Sequence, residues 1–183
     1  MNSDKHDAGG KTYPLPAGVI GSAIYGGERN CYRYWLSWSM SNFPTGPVLL
    51  ACMMNPSVAT EQVADATLLW VWRWGTRNGF TRLVVVNADA YRCRDQARLA
   101  EVEDPCGPKN HDHIRAAVRT ADMIVIGHGK PKVRAVRDHG PRMVDLLRST
   151  ERRLHVWGLS KDGTPKHPLY LPADTPAVEW SPP

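Results

Sequence analysis

Short runs of consecutive apolar residues, separated by stretches with helical spacing, dominate this chain from its middle onward. Residues 48–54 (VLLACMM), 83–87 (LVVVN), 123–127 (MIVIG) and 154–159 (LHVWGL) are too short for helices. Continuous apolarity over such lengths marks strands buried on both faces. Between them, 64–78 has helical character, with Leu68, Leu69, Val71 and Trp72 as inward positions and Gly79 as a stop. A second helix is expected over about 108–120, with Pro108 in its first turn. A third is expected over 131–149, built on Val133, Val136, Met143, Val144, Leu146 and Leu147. Earlier, residues 32–40 (YRYWLSWSM) alternate Tyr32, Tyr34, Leu36 and Trp38 with Arg33, Trp35, Ser37 and Ser39, a strand with one polar-leaning face.

Strands alternating with helices predict an α/β fold in three layers. The expected sheet has four strands, mostly parallel, with helices on both faces. Residues 1–18 are polar and rich in Gly and Pro and read as a tail or edge segment. The expected division is an N-terminal segment over 1–30 and one α/β domain over 31–183, with an irregular Pro-rich end.

Length and composition fit this picture. The 183 residues are 42% hydrophobic and 22% charged, as in a globular domain. No apolar run reaches membrane-spanning length, and the first residues contain no apolar stretch for a signal peptide, so the expected location is cytoplasmic. A net charge of +5 favours a polyanionic partner. Most of the seven tryptophans should be core, with some free to stack on bases or sugars. Cys31, Cys52, Cys93 and Cys106 form no C-x-x-C pair, and neither a disulfide framework nor a zinc site is expected.

Ligands of open α/β sheets bind beyond the carboxyl ends of the strands. Here those ends read MNPS, VNADAYR, GHGK and GLSKDG. Asn55 and Ser57 follow the first strand. Asn55 is either part of a turn or a carboxamide able to orient water. Asp65 is either a helix cap or a carboxylate for acid–base and cation-stabilising work. Asn87 offers a donor and an acceptor suited to a base edge, or bonds loop backbone. His167, with Lys161, Lys166 and Tyr170, stands in the last loop. Arg92, Arg94 and Arg98, and Lys130, Lys132, Arg134 and Arg137, form two basic clusters that are solvated faces or a phosphate track. Gly127-His128-Gly129 is too short for a phosphate loop. The absence of P-loop and dinucleotide fingerprints argues against nucleotide triphosphate and dinucleotide chemistry.

The ordered set MNPS, LVVVNADAYR, DPCGPKN, ADMIVIGHG and GLSKDGTPKHPLYLP resembles a bacterial and phage family of unknown function, DUF1643, over roughly residues 48–180. That family commonly carries an acidic pair followed by Pro-Thr, whereas this chain has Ala64-Asp65-Ala66-Thr67 and one carboxylate. More distantly, the order is similar to the uracil-DNA glycosylase superfamily. Met54-Asn55-Pro56-Ser57 corresponds to its water-handling loop, Leu83–Asn87 to its base-reading strand, and His167-Pro168-Leu169 to its His-Pro-Ser loop without the Ser. The superfamily includes antiviral enzymes that excise modified cytosines, among them glucosylated hydroxymethylcytosine, from phage DNA.

The resemblance implies a DNA glycosylase that needs no cofactor or metal. Asn55 and Asp65 would be catalytic, and Asn87, His167, Ser57, Lys161 and Tyr170 would bind substrate. Arg92, Arg94, Lys130, Lys132 and Lys166 would hold DNA. No membrane or obligate protein partner is implied. Two alternatives stand beside it: a non-catalytic binder of nucleic acid or nucleotide on the same fold, and an enzyme acting on free modified nucleotides.

Overall fold

The computed structural model describes residues 10–131 and 133–182. In chain order its elements are β1 (Tyr13–Pro14), β2 (Val19–Gly26), β3 (Tyr32–Met40), β4 (Val48–Met53), β5 (Val63–Ala64) and α1 (Ala66–Arg77). There follow β6 (Arg82–Asn87), α2 (Asn110–Thr120), β7 (Met123–Ile126), α3 (His139–Arg148), β8 (Leu154–Val156) and β9 (Val178–Glu179). Seven strands form one sheet in the order β2-β3-β6-β4-β7-β8-β9, and β1 pairs separately with β5.

The four apolar runs are neighbours, and β6, β4, β7 and β8 are parallel throughout. The expected four-stranded, mostly parallel sheet is nevertheless too small. β2 and β3 add an antiparallel hairpin beside β6, and β9 adds an antiparallel edge to β8. The sheet is therefore mixed. An exposed backbone edge on β6 or β8 would leave hydrogen-bonding groups without partners, and the flanking segments supply them.

All six residues of β4 are buried, as a central strand covered on both faces requires. Val48, Leu50 and Cys52 face α2 and α3 through Ile114, Ala117, Val118, Met143, Val144 and Leu147. Leu49, Ala51 and Met53 face α1 through Leu68, Val71, Trp72 and Trp74, joined by Leu36 and Trp38 from β3. The period-2 alternation of one strand thus serves two helical layers. The tryptophans are structural on this side: Trp157 meets Trp70 and Trp74 edge-on at 5.2 and 5.5 Å.

Three elements depart from expectation. The segment beyond residue 18 contains β2, whose outer positions are small or apolar and show no clear amphipathic signal. Gly21 is required there because a Cβ would lie 2.0 Å from the Glu61 carbonyl oxygen. The helix expected over 131–149 begins only at His139. Pro141 fits its first turn, where a missing N–H costs nothing, and Arg134–Val136 is a separate 3-10 turn that buries Val136 against Cys93 and Leu99. The Pro-rich end is not wholly irregular, since it carries β9. By contrast, α1 ends as its sequence suggests, with Gly79 at φ +84° just after the capping Asn78. Among the described residues, no helix is long and apolar enough to cross a membrane.

Candidate functional site

Parallel strands β6, β4, β7 and β8 all end on the same side of the sheet, and the loops leaving them enclose a cavity of about 580 Å³. Asn55 and Ser57 reach it from the end of β4, Asn87 from the end of β6, and His128, Gly129 and Lys130 from the end of β7. Lys166, His167 and Tyr170 come from the loop after β8, Asp65 from the start of α1, and Arg94 from the loop after β6. Lys161 and Arg92 are not on its wall. Lys132 lies outside the described residues.

Asp65 performs a structural task within this wall. Its Oδ1 accepts the Leu68 backbone N–H at 2.8 Å and caps α1. Burial pushes its carboxyl above the usual carboxylate range. The Leu68 and Thr67 N–H groups and the Arg33 charge pull the other way.

Asn55 uses its Nδ2 to donate to the Cys93 carbonyl at 2.6 Å, tying the loop after β4 to the loop after β6. The Cys93 N–H returns the link by donating to the Pro56 carbonyl. Asn87 is buried, and its backbone carbonyl accepts from Asn110 Nδ2 at 2.9 Å. Asn110 is the last residue of the DPCGPKN motif and is itself fully buried, so it acts as a prop beneath the end of β6.

Two residues that sequence reasoning did not place in the site are Arg33 and His128. Alternation assigns Arg33 to the polar-leaning face of β3 with Trp35, Ser37 and Ser39, but a β-bulge at Tyr34, between the pairs Ile24–Trp35 and Tyr25–Arg33, turns it to the face of Leu36 and Trp38. The segment 59–65 covers that face, and the side chain is only 3% exposed. Its Nη1 donates to the Ala59 carbonyl at 2.6 Å and its Nη2 to Asn87 Oδ1 at 3.4 Å. Burial lowers its pKa to about 10, so the guanidinium remains charged at neutral pH, with Asp65 the foremost charge supporting it. No local pattern could reveal this, because the covering segment is distant in sequence.

His128 is buried, with Nδ1 2.8 Å from the Gly129 carbonyl. That contact places its proton on Nδ1 and leaves Nε2 as an acceptor. Burial also depresses its pKa. Two glycines make room for these histidines. A Cβ on Gly140 would meet the His128 ring at 2.7 Å, and one on Gly129, which stands at φ +70°, would meet His167 Cβ at 2.9 Å.

His167 accepts the Leu169 N–H on Nδ1 at 3.4 Å, so the neutral ring carries its proton on Nε2. Burial pushes its pKa down to about 4. It is thus a neutral donor at physiological pH rather than a cation. The cationic part of the wall is Arg33, Arg94, Lys130 and Lys166, and Lys130 forms an ion pair with Asp162. Tyr170 is 79% exposed and marks the rim, with its ring centroid 5.9 Å from that of His167. Arg92 is occupied elsewhere: its Nη1 donates to the Asn30 carbonyl and its guanidinium lies over the Tyr25 ring.

Residues 33–169 match a family model described as a protein of unknown function, DUF1643. The chain belongs to this family. The match begins at Arg33 and includes Asn55, Asp65, Asn87, His128 and His167, so the cavity is built almost wholly from the family region, with Tyr170 just beyond it. No curated protein and no solved structure matches the chain.

The depressed His167 predicts a pH-dependent stability. An unfolded histidine titrates near 6.5. As pH falls below that value the unfolded chain binds a proton that native His167 refuses until about pH 4. Stability is therefore full above about 6.5 and declines across this window. Denaturant melts at about pH 7.5 and about pH 5 should show the wild type losing up to about 2 kcal/mol more than His167→Gln. Equal losses in both proteins would place the proton elsewhere.

Proposed function

We propose that the chain is a DNA glycosylase that takes a flipped, modified base into the cavity and hydrolyses its N-glycosidic bond. The base is a cytosine carrying a substituent such as a glucosylated hydroxymethyl group, and the setting is defence against phage DNA. The observation that carries this reading is the meeting of Asn55, Asp65, Asn87 and His167 on one cavity, from four separated segments, beside Lys130 and Lys166. Asn55, Asn87 and His167 are positions at which the chain resembles the uracil-DNA glycosylase superfamily, and Asp65 is the carboxylate left where DUF1643 commonly carries an acidic pair. The volume lies within the ~300–1,000 Å³ of ordinary small-molecule sites, which leaves room for more than a bare pyrimidine.

In this mechanism the C1′–N bond breaks with its electron pair passing to the base, and the sugar gains positive charge. Asp65 offsets that charge. Asn55, whose Nδ2 is held by Cys93, has its Oδ1 left to orient a water. The water adds to C1′ and releases a proton to the carboxylate. His167 donates from Nε2 to the departing base or a phosphate, and Asn87 reads the base edge. Extrusion costs a few kcal/mol, which phosphate contacts along the cationic rim offset.

The direct test uses oligonucleotides carrying cytosine, 5-hydroxymethylcytosine or its glucosylated form, followed by alkali. Strand breaks at the modified cytosine are expected; intact strands with every substrate would overturn the assignment. The rim has its own signature. Among the described residues Lys166 carries no ion pair, whereas Lys130 is paired with Asp162. Lys166→Ala should weaken binding to all sequences and lower the slope of log affinity against log salt by about one. Lys130→Ala should lower it less. An unchanged slope in Lys166→Ala would remove that residue from the phosphate track.

A second reading, a non-catalytic binder of nucleic acid, is favoured by the capping role of Asp65. Its Oδ1 is already engaged by the Leu68 N–H. DNA binding without base release would select it.

A further inference from the structure

We infer that Arg33 makes Asn87 a donor-only reader, so that the cavity selects a base edge of the cytosine type over one of the uracil or thymine type. This rests on the reading that the cavity receives a nucleobase. It begins from a chemical constraint: a guanidinium has five donors and no acceptor. Arg33 and Asn87 are 3% and 2% exposed, and Nη2 of the arginine faces the asparagine amide at 3.4 Å. The amide can meet that group only with Oδ1. The opposite flip would set an NH2 against a buried cation, two donors facing each other with no water between them.

Arg33 has little freedom to retreat. Nη1 is fixed on the Ala59 carbonyl, and Nε is buried without a partner. Its backbone N–H is bonded to the Ala90 carbonyl, three residues beyond Asn87. Burial lowers its pKa only to about 10, so it stays cationic at neutral pH and no change of protonation there releases the amide.

Asn87 therefore shows its other end to a ligand. Nδ2 has no partner among the described residues, yet it is not one of the sealed polar atoms without a partner, as Arg33 Nε and Asn110 Oδ1 are. It opens on the cavity that Asn87 lines. A cytosine offers adjacent acceptors at N3 and O2, which this NH2 satisfies. A uracil or thymine places an N3–H between its carbonyls, and a donor-only amide leaves that N–H unpaired. C5 lies across the ring from C2 and is not on the N3 and O2 edge, so a bulky C5 substituent is compatible with this readout.

The test compares two ligands with the same C5 group and different edges: 5-hydroxymethyl-dCMP and 5-hydroxymethyl-dUMP, titrated calorimetrically into the full chain. The cytosine form should bind more tightly, on the order of tenfold or more, the size expected for one buried unpaired donor. Asn87→Asp should reverse the order, because a carboxylate spanning Arg33 and the ligand accepts the N3–H. Arg33→Met frees the amide to rotate and should bring the two affinities together. Should Arg33→Met fail to fold, Asn87→Asp still decides, since it keeps the arginine and pairs it. Equal wild-type affinities, no binding of either nucleotide, or an unreversed order in Asn87→Asp would overturn the inference. Base release from oligonucleotides is scored separately. Edge discrimination without release supports the inference and sinks the glycosylase reading, whereas release without discrimination sinks the inference alone.

Discussion

Asp65→Asn should reduce single-turnover base release by on the order of 10²–10⁴-fold while leaving DNA affinity within a few-fold of wild type. The choice of Asn matters because Asp65 has two tasks. It caps α1 through the Leu68 N–H, and Ala at a cap costs about 0.5–2 kcal/mol. Asn caps about as well as Asp, so the substitution removes charge and keeps the helix start. Ground-state DNA is polyanionic and gains nothing from a nearby carboxylate, whereas the cationic sugar of the transition state does. A loss confined to the chemical step is therefore the expected signature. Wild-type release should also fall at acid pH, beginning above the range of an ordinary carboxyl, because burial raises the Asp65 pKa and protonation removes the useful charge. Full release by Asp65→Asn would move the chemistry to another group, and release lost together with DNA binding would indicate a folding defect.

The residues that were legible in advance share one property: their signal is local. β4 reads as a buried strand because six consecutive residues are apolar, and all six are buried. Asn55 and Asn87 drew attention because a polar side chain directly ends such a run, and the parallel order of the sheet brings those ends to one side. What stayed hidden depends on partners far away in sequence. β2 is a strand because β3 pairs with it, and its Gly and Ser residues give no alternation to detect. β9 is two residues long and exists through β8. Arg33 is turned inward by a β-bulge at Tyr34 that exists only in the pairing with β2, and its burial is completed by a segment some 26 residues later that offers it the Ala59 carbonyl. Asn110 is the first residue of α2, and its side chain also carries the backbone of Asn87, a partner distant in sequence. The Asp89 carboxylate, in the VNADAYR motif, holds His139 at 2.8 Å and so ties the first residue of α3 to the end of β6. Neither partner is unusual on its own.

Trp157→Ala should destabilise the protein by about 3–5 kcal/mol, the usual cost of emptying a large aromatic site in a core. Trp157 directly follows β8 and is 2% exposed. Its ring is held edge-on between Trp70 and Trp74, and it abuts the backbone of Gly127, where an added Cβ would be 2.9 Å away. Pro168 approaches Gly127 from the same side, at 3.2 Å from that Cβ position. The tryptophan therefore fills the space between α1 and the two loops that carry His128 and His167. Its loss removes packing from the layer beneath the cavity as well as from the sheet. Part of the ring is not optimally used, because Nε1 is buried without a partner. Trp157→Phe keeps much of the ring contact and removes that unpaired donor, so it should cost far less, within about 1–2 kcal/mol. Urea unfolding separates the cases: a lower midpoint with an unchanged slope in Trp157→Ala indicates lost packing in the native state. A Trp157→Ala protein as stable as wild type would mean that the loops close over the space, and the cavity floor would then owe little to this residue.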